Sequence, residues 1–258
     1  MSERYDESAA AHYSAYRPPL HSLILARVVP KVGNAVGLDV GCGTGQSALA
    51  LAAYCANTYA FDRSPLMLAR TAKCDRVAYF AACVEQLPIR NNTVDLVTFA
   101  GSLFYADRNA AGVEIRRVCS RNAEVIVYDF EFLLDDILRR CGVDPQAAGS
   151  KYDHRVNFSG DPGFDEVTVN NEQLSVEMSA LELTHILLSD SNRLDQFVNR
   201  YGTTDPSGSL ERDLRTATDR LSVDADIYYS KYRVDVDSSD DSLARRLDAL
   251  PLRSQEDV

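Results

Sequence analysis

Apolar residues in the first half of the chain come in short runs that alternate between two rhythms. Ala35 to Val40 is a short apolar run that stops at glycines, which predicts a buried strand. Ser47 to Tyr54 is rich in Ala and Leu and predicts a helix. Thr58 to Phe61 predicts a second strand, closed by Asp62. Ser64 and Pro65 form a helix start, with Ser as N-cap and Pro in the first turn, and Leu66 to Ala72 continue it. Val77 to Ala82 and Val94 to Ala100 predict strands three and four. A helix over Ala110 to Cys119, capped by Asp107, leads to a fifth strand over Glu124 to Asp129. Strands that are apolar on both faces and alternate with helices predict a parallel sheet covered on both sides. The right-handed crossover rule leaves few ways to connect them.

The flanks read differently. Tyr5 to Arg17 is rich in Tyr, Ala and charge and ends at Pro18-Pro19. Leu20 to Val29 predicts a helix, stopped by Pro30 and Gly33. After the fifth strand the alternation breaks. Phe130 to Cys141 predicts a helix; Tyr152 to Phe158 and Val167 to Val169 fit short strands or irregular chain; Gln173 to Met178 alternates as a half-exposed strand does. Ser179 to Glu182 has the spacing of a capping box opening a helix to Leu188. Arg193 to Tyr201, with Gly202 as C-cap, and Ser209 to Leu221 predict two more helices, and Ile227 to Val234 a Tyr-rich strand. The tail from Asp235 is charged, with a short helix possible over Leu243 to Leu250.

The candidate chemistry begins at Leu38-Asp39-Val40-Gly41-Cys42-Gly43-Thr44-Gly45, between the first predicted strand and the next helix. Glycines there permit a tight turn and a close ligand approach, and the helix behind them offers unpaired N–H groups. The spacing is G-x-G-x-G, not the G-x-G-x-x-G of a dinucleotide site. An acid just before the first glycine can accept from an ammonium group, directly or through water, which points to a cofactor carrying an amino acid. Asp62, ending the second strand, can accept both hydroxyls of a ribose. The segment Ala82 to Pro88 follows strand three and can wrap an adenine.

Leu38 to Gly45, the Asp62 position, Glu85-Gln86-Leu87-Pro88 and Asn92-Thr93-Val94-Asp95-Leu96-Val97 together resemble the class I S-adenosylmethionine-dependent methyltransferases, in the branch with quinone-biosynthesis and trans-aconitate methyltransferases. The resemblance covers Gly33 to Asp129, and Tyr13 to Pro18 resembles the N-terminal lid of that branch. It implies a Rossmann-like α/β sandwich: a mostly parallel central sheet, helices on both faces and antiparallel C-terminal strands. The chain then reads as a single domain, 1–258, with a lid and helix (1–32), a cofactor half (33–130), an acceptor-shaping half (131–234) and a charged tail (235–258). By resemblance, Asp39, Gly41, Cys42 and Gly43 hold the methionine part of S-adenosylmethionine, Asp62 its ribose, and Arg63, Val84 and Glu85 its adenine. Ala100 lines the floor near the sulfonium, and the product is S-adenosylhomocysteine. Many relatives carry Asp where Cys83 stands, so the adenine contact here rests on backbone, packing or Glu85. Tyr13, Tyr16, Arg17, Phe104 and Tyr105 fall at lid or acceptor positions.

Composition narrows the partners. A formal net charge of -11 argues against nucleic acid and against anionic membrane surfaces, and leaves a small-molecule acceptor. Met1 to Ala10 lacks a signal-peptide pattern, and no run is apolar enough to span a bilayer, which predicts a cytoplasmic protein, monomer or homodimer. Six cysteines without a C-x-x-C pair read as reduced, mostly buried thiols, and Cys42 as loop filler, not nucleophile. None of the four histidines has metal-ligand spacing, so no metal is expected. His185 reads as structural. His154, His12 and Tyr105 are candidate catalytic groups, but the motif fixes none, because a sulfonium carries its own driving force. Phe104 and Tyr105 suit either core or acceptor-pocket wall, and Tyr228, Tyr229 and Tyr232 suit sheet packing. Methyl transfer is the expected reaction. Two alternatives are cyclisation or elimination giving methylthioadenosine, and non-catalytic cofactor binding; a nicotinamide dehydrogenase is opposed by the glycine spacing.

Overall fold

A computed structural model describes residues 7–16, 18–29, 35–145, 152–201, 206–215 and 220–235. Tyr5, Arg17, the stop at Pro30 and Gly33, Gly202 and the tail helix over Leu243 to Leu250 lie outside the described residues. Helices α1 (Glu7–Ala15) and α2 (Leu20–Val28) precede β1 (Val36–Val40). Then follow α3 (Gln46–Leu51), β2 (Asn57–Asp62), α4 (Pro65–Leu68), β3 (Val77–Ala81), β4 (Val94–Ala100), α5 (Arg108–Val118) and β5 (Cys119–Phe132). The remainder is α6 (Asp135–Arg140), β6 (Phe164–Met178), α7 (Ala180–Leu188), α8 (Ser191–Tyr201), α9 (Ser207–Leu214) and β7 (Leu221–Val234).

The strands form one sheet in the order β3-β2-β1-β4-β5-β7-β6. β1 to β5 run parallel, and β7 is antiparallel to both of its neighbours. This is the expected α/β arrangement. Period-two alternation sends successive side chains to opposite cores. Val97, Phe99, Val125 and Val127 pack with Ala111, Ile115 and Val118 of α5. Leu96, Ile126, Tyr128 and Ile227 pack with Leu20 and Ile24 of α2 and Leu183 and Leu187 of α7. The capping box at Ser179 is present in both halves: its Oγ accepts from Glu182 N–H, and Glu182 accepts from Ser179 N–H.

Several elements end elsewhere than expected. Phe130 to Phe132 continue β5 instead of opening a helix. Phe130 pairs with Ile227 and Phe132 with Ala225, and α6 starts only at Asp135, where Asp135 and Asp136 meet Arg139. The expected helix over Ser209 to Leu221 stops at Leu214, and Leu221 instead pairs with Met178 in the β6–β7 ladder. Val167 to Val169 and Gln173 to Met178 belong to one strand, with a register shift between Glu166 and Thr168. Residues 152–163 form no regular element. In β5, β6 and β7 partner pairing across the sheet overrides the local pattern.

No helix lies in the stretch between β3 and β4. Residues 82–93 form a loop clamped by two residues of α5. Glu114 accepts from Leu87 N–H (2.6 Å) and pairs with Arg117, which donates to the Ile89 carbonyl (2.8 Å), the Leu87 carbonyl (3.1 Å) and Asn91 Oδ1 (2.7 Å). Such a charge-assisted set replaces helix packing with directed bonds. Replacing Arg117 strips three acceptors and leaves Glu114 without its cation. Arg117→Ala should lower unfolding stability by about 2 kcal/mol, read as a lower urea midpoint. An unchanged midpoint would show that the clamp is not needed to hold the loop.

Candidate functional site

The loop after β1 turns because Gly41, Gly43 and Gly45 all adopt left-handed backbone, with φ of 68°, 54° and 91°. A methyl on Gly41 would stand 2.6 Å from Ser102 Cβ, so the loop is pressed against the segment following β4. Ser102 Oγ closes that contact by donating to the Val40 carbonyl. A methyl on Gly43 would meet only Met67 Cε at 3.6 Å, an ordinary contact. Gly43 therefore owes its identity to backbone conformation, not to crowding by protein.

Asp62 ends β2 beside this turn. Its Oδ2 accepts from Gly43 N–H (2.9 Å) and its Oδ1 from Ser64 N–H (2.8 Å). Each oxygen keeps a further lone pair, and the carboxylate is half-exposed. A rigidly held carboxylate with two acceptor sites matches the two donors of a vicinal diol. Arg63 is exposed next to it. Ala82 N–H donates to the Asp62 carbonyl (3.3 Å), and Gln86 N–H donates to the Cys83 carbonyl (3.2 Å). That turn puts exposed Glu85 at the corner and sends the Val84 side chain into the core, leaving only the Val84 backbone for a ligand.

Asp39 lies in β1 and has no solvent exposure. Oδ2 accepts from Ser47 Oγ (2.5 Å) and Oδ1 from Thr98 Oγ1 (2.7 Å), so the carboxylate ties α3 and β4 to β1 beneath the glycine turn. Burial pushes its pKa up to about 6, against the lowering effect of the two hydroxyls. Cys42 is buried with Ala48 and Ala60, and burial also pushes its thiol pKa up, which makes it a filler; only its backbone borders the turn. All six cysteines are free.

Beside the turn, Ala100 closes β4, half-buried, and Leu103 to Tyr105 form a 3-10 turn. Phe104 and Tyr105 are 37% and 55% exposed, so they are not core residues. Their rings pack around Tyr152, at 4.7 and 5.6 Å between centroids. The Tyr152 hydroxyl sits 2.5 Å from the Gly101 carbonyl and 2.8 Å from Asp129 Oδ2. Asp129 Oδ2 also meets His154 Nδ1 at 2.9 Å, and Asp129 Oδ1 accepts from Phe130 N–H. The hydrogen bond to Asp129 raises the His154 pKa, aided by Glu131 and Asp153, while burial opposes it.

Other candidates are placed elsewhere. His12 Nδ1 lies 2.9 Å from His185 Nδ1, which engages α1 with α7. Tyr16 is half-buried against the helical core near Glu182. Tyr13 falls on α1, but its side chain, like Arg17, lies outside the described residues. Tyr228, Tyr229 and Tyr232 are buried in the sheet. Sequence reasoning missed Asp129, Tyr152 and His21, whose Nδ1 lies 3.0 Å from Tyr128 Oη. Asp129 stood at the end of a predicted parallel strand, as Asp62 does, and the rule that ligands gather there could have marked it.

Residues 38–127 match the family described as a methyltransferase domain. A Dictyostelium discoideum protein named as a methyltransferase is 25% identical over 127 residues, 48% of this chain and 48% of that protein. The chain thus spans about half the length of this curated relative. A type II methyltransferase structure from Anaeromyxobacter dehalogenans aligns with a TM-score of 0.63 and 19% identity, covering 86% of this chain and 98% of that one. A methyltransferase structure from Bacillus halodurans aligns at 0.52 and 15% identity, covering 82% and 97%. These two structural likenesses establish the fold.

The buried Asp39 generates a pH test. A carboxyl whose pKa is higher folded than unfolded stabilises the fold below its unfolded pKa, and that contribution is lost as pH rises through the folded value. Between pH 3.8 and about 6, Asp39 should therefore lower stability with rising pH, by up to about 3 kcal/mol in all. In urea titrations across this window the difference between wild type and Asp39→Asn should carry that slope. Parallel curves for the two proteins would mean that Asp39 titrates normally.

Proposed function

We propose that this chain, whose residues 38–127 match the methyltransferase-domain family, binds S-adenosylmethionine at the glycine turn and transfers its methyl group to a small molecule. The observation that carries the reading is the Asp62 carboxylate, fixed by the Gly43 and Ser64 amides with one acceptor site left on each oxygen. Asp62 would hold the ribose diol, the backbone of Gly41 to Gly43 the amino-acid part, and the turn at Val84 and Glu85 the adenine, with Arg63 flanking it. S-adenosylmethionine, when bound, supplies an electrophilic methyl on a sulfonium and leaves as S-adenosylhomocysteine.

The protein's own contribution is placement. Asp39 anchors the floor from below, so the turn need not reorganise when ligand arrives. Ser102 locks the turn to the end of β4, which brings Ala100 and Gly101 to the same place. The net charge of -11 supports a small acceptor over a nucleic acid. Among the described residues no helix is long and apolar enough to cross a membrane. Six free cysteines support a reducing compartment such as the cytoplasm.

Calorimetric titration tests the reading, with NAD as control. S-adenosylmethionine and S-adenosylhomocysteine should both bind, and Asp62→Ala should weaken both by about 100-fold, the equivalent of two hydrogen bonds to a charged acceptor. Binding of NAD alone, or of neither sulfur nucleoside, would remove the cofactor assignment. Methylthioadenosine formed without any acceptor would favour cyclisation or elimination.

A further inference from the structure

Asp129, Tyr152 and His154 make a connected polar group that the cofactor site does not use. Asp129 is the last acid on β5 before Phe130, and it sits on the sheet face that also carries Val127 and, across the ladder, Tyr228. Both its oxygens are engaged: Oδ1 with Phe130 N–H, Oδ2 with Tyr152 and His154. A carboxylate facing Nδ1 fixes the neutral imidazole as the Nδ1–H tautomer, which leaves Nε2 as a proton acceptor. Glu131 Oε2 lies 3.8 Å from Nε2, beyond hydrogen-bond distance. The Tyr228 ring from β7 stacks on the imidazole at 6.0 Å, Tyr152 meets it edge-on at 4.7 Å, and Arg155 lies over the same Tyr228 ring. His154 keeps 26% of its side chain accessible.

The group is tied to the glycine turn by a continuous path. Gly41 presses on Ser102; Gly101 precedes Ser102; the Gly101 carbonyl meets the Tyr152 hydroxyl; Tyr152 and His154 share Asp129 Oδ2. A crevice of about 10 Å³ lined by Gly101, Phe104, Asp129, Tyr152 and His154, with room for one water, lies along it, and His154 also lines a neighbouring cleft of about 400 Å³ with Arg155, Asn157, Asn170 and Tyr228. The exposed rings of Phe104 and Tyr105 border that cleft from the side of the 3-10 turn.

From this juxtaposition we infer that His154 is the base for the proposed methyl transfer, that Asp129 and Tyr152 position it, and that the acceptor is a phenol. The inference rests on the methyl-transfer reading. The phenolic proton passes to His154 Nε2 while the oxygen lone pair forms the new O–C bond. The S–C bond of the methyl donor breaks, and its electron pair stays on sulfur. The imidazolium then returns its proton to water. Ring faces at Phe104, Tyr105 and Tyr152 suit a flat aromatic acceptor.

Two measurements test this, one of them without cofactor. Histidine NMR titration, with the His154 resonance identified by its loss in His154→Asn, should give a pKa above 6.5 and an Nδ1–H neutral form. Asp129→Asn should lower that pKa, which reads the dyad itself; the role in methyl transfer is read by the second arm. An unshifted pKa or the other tautomer overturns the dyad. In the second arm, methyl transfer is followed with phenol and with 4-nitrophenol at a mildly alkaline pH where only the latter is ionised. His154→Asn should cut phenol turnover by about 100-fold while the pre-ionised 4-nitrophenolate loses less than about tenfold. Equal losses for both overturn the base role. So does a wild-type protein that binds S-adenosylmethionine yet methylates only amines or thiols, or nothing. Failure to bind S-adenosylmethionine by calorimetry removes the methyl-transfer reading and the acceptor with it, and the titration alone then decides whether the dyad exists.

Discussion

The structure depends on one tight constraint: a left-handed turn of three glycines whose central amide is held by the carboxylate that ends the neighbouring strand. Gly43 N–H donates to Asp62, and the Asp62 carbonyl accepts from Ala82, so the ends of β1, β2 and β3 are locked in one plane of bonds. The same turn touches the end of β4 through Ser102. Four parallel strands thus deliver their C-terminal ends to one spot, where an open α/β sheet places its ligand. Beneath it, Asp39 is buried at a cost that Ser47 and Thr98 only partly offset, since its pKa still rises to about 6. Retaining a charge there makes sense if the geometry of the turn matters more than the last increment of stability.

β5 joins the parallel strands to the antiparallel pair β7 and β6. Its neighbouring residues Tyr128 and Asp129 point to opposite faces, and each meets a histidine through Nδ1: His21 from α2 on one side, His154 from the segment before β6 on the other. The strand runs past the end of β4, so both pairs stand at the rim of the sheet. The extension exists because β7 pairs with β5 over its whole outer length. The antiparallel strands thereby hold the Asp129 group at the rim as well as extend the sheet.

Legibility followed the range of the interactions. The glycine turn, the Ser64 and Asp107 caps and the Ser179 capping box are local, and they could be read from adjacent residues. The apolar runs of β1 and β4 are buried on both faces and were equally plain. What could not be read depends on partners far along the chain. Phe130 to Phe132 looked helical until paired with Ala225 to Ile227, and Leu221 looked like a helix end until paired with Met178. Asp39 showed its residue type but not its burial, because Thr98 is 59 residues away. The Asp129 group joins three segments, 101, 129 and 152–154, that no single motif contains.

The most direct test is a crystal structure of the protein with S-adenosylhomocysteine. The ribose hydroxyls are expected at hydrogen-bond distance from Asp62, the Gly41 to Gly45 backbone as it stands here, and the sulfur beside Ala100 and Gly101 on the side of Tyr152. A nucleoside bound away from Asp62, or a glycine turn that must open and rebuild to admit it, would contradict the claim that this turn is a ready-made seat.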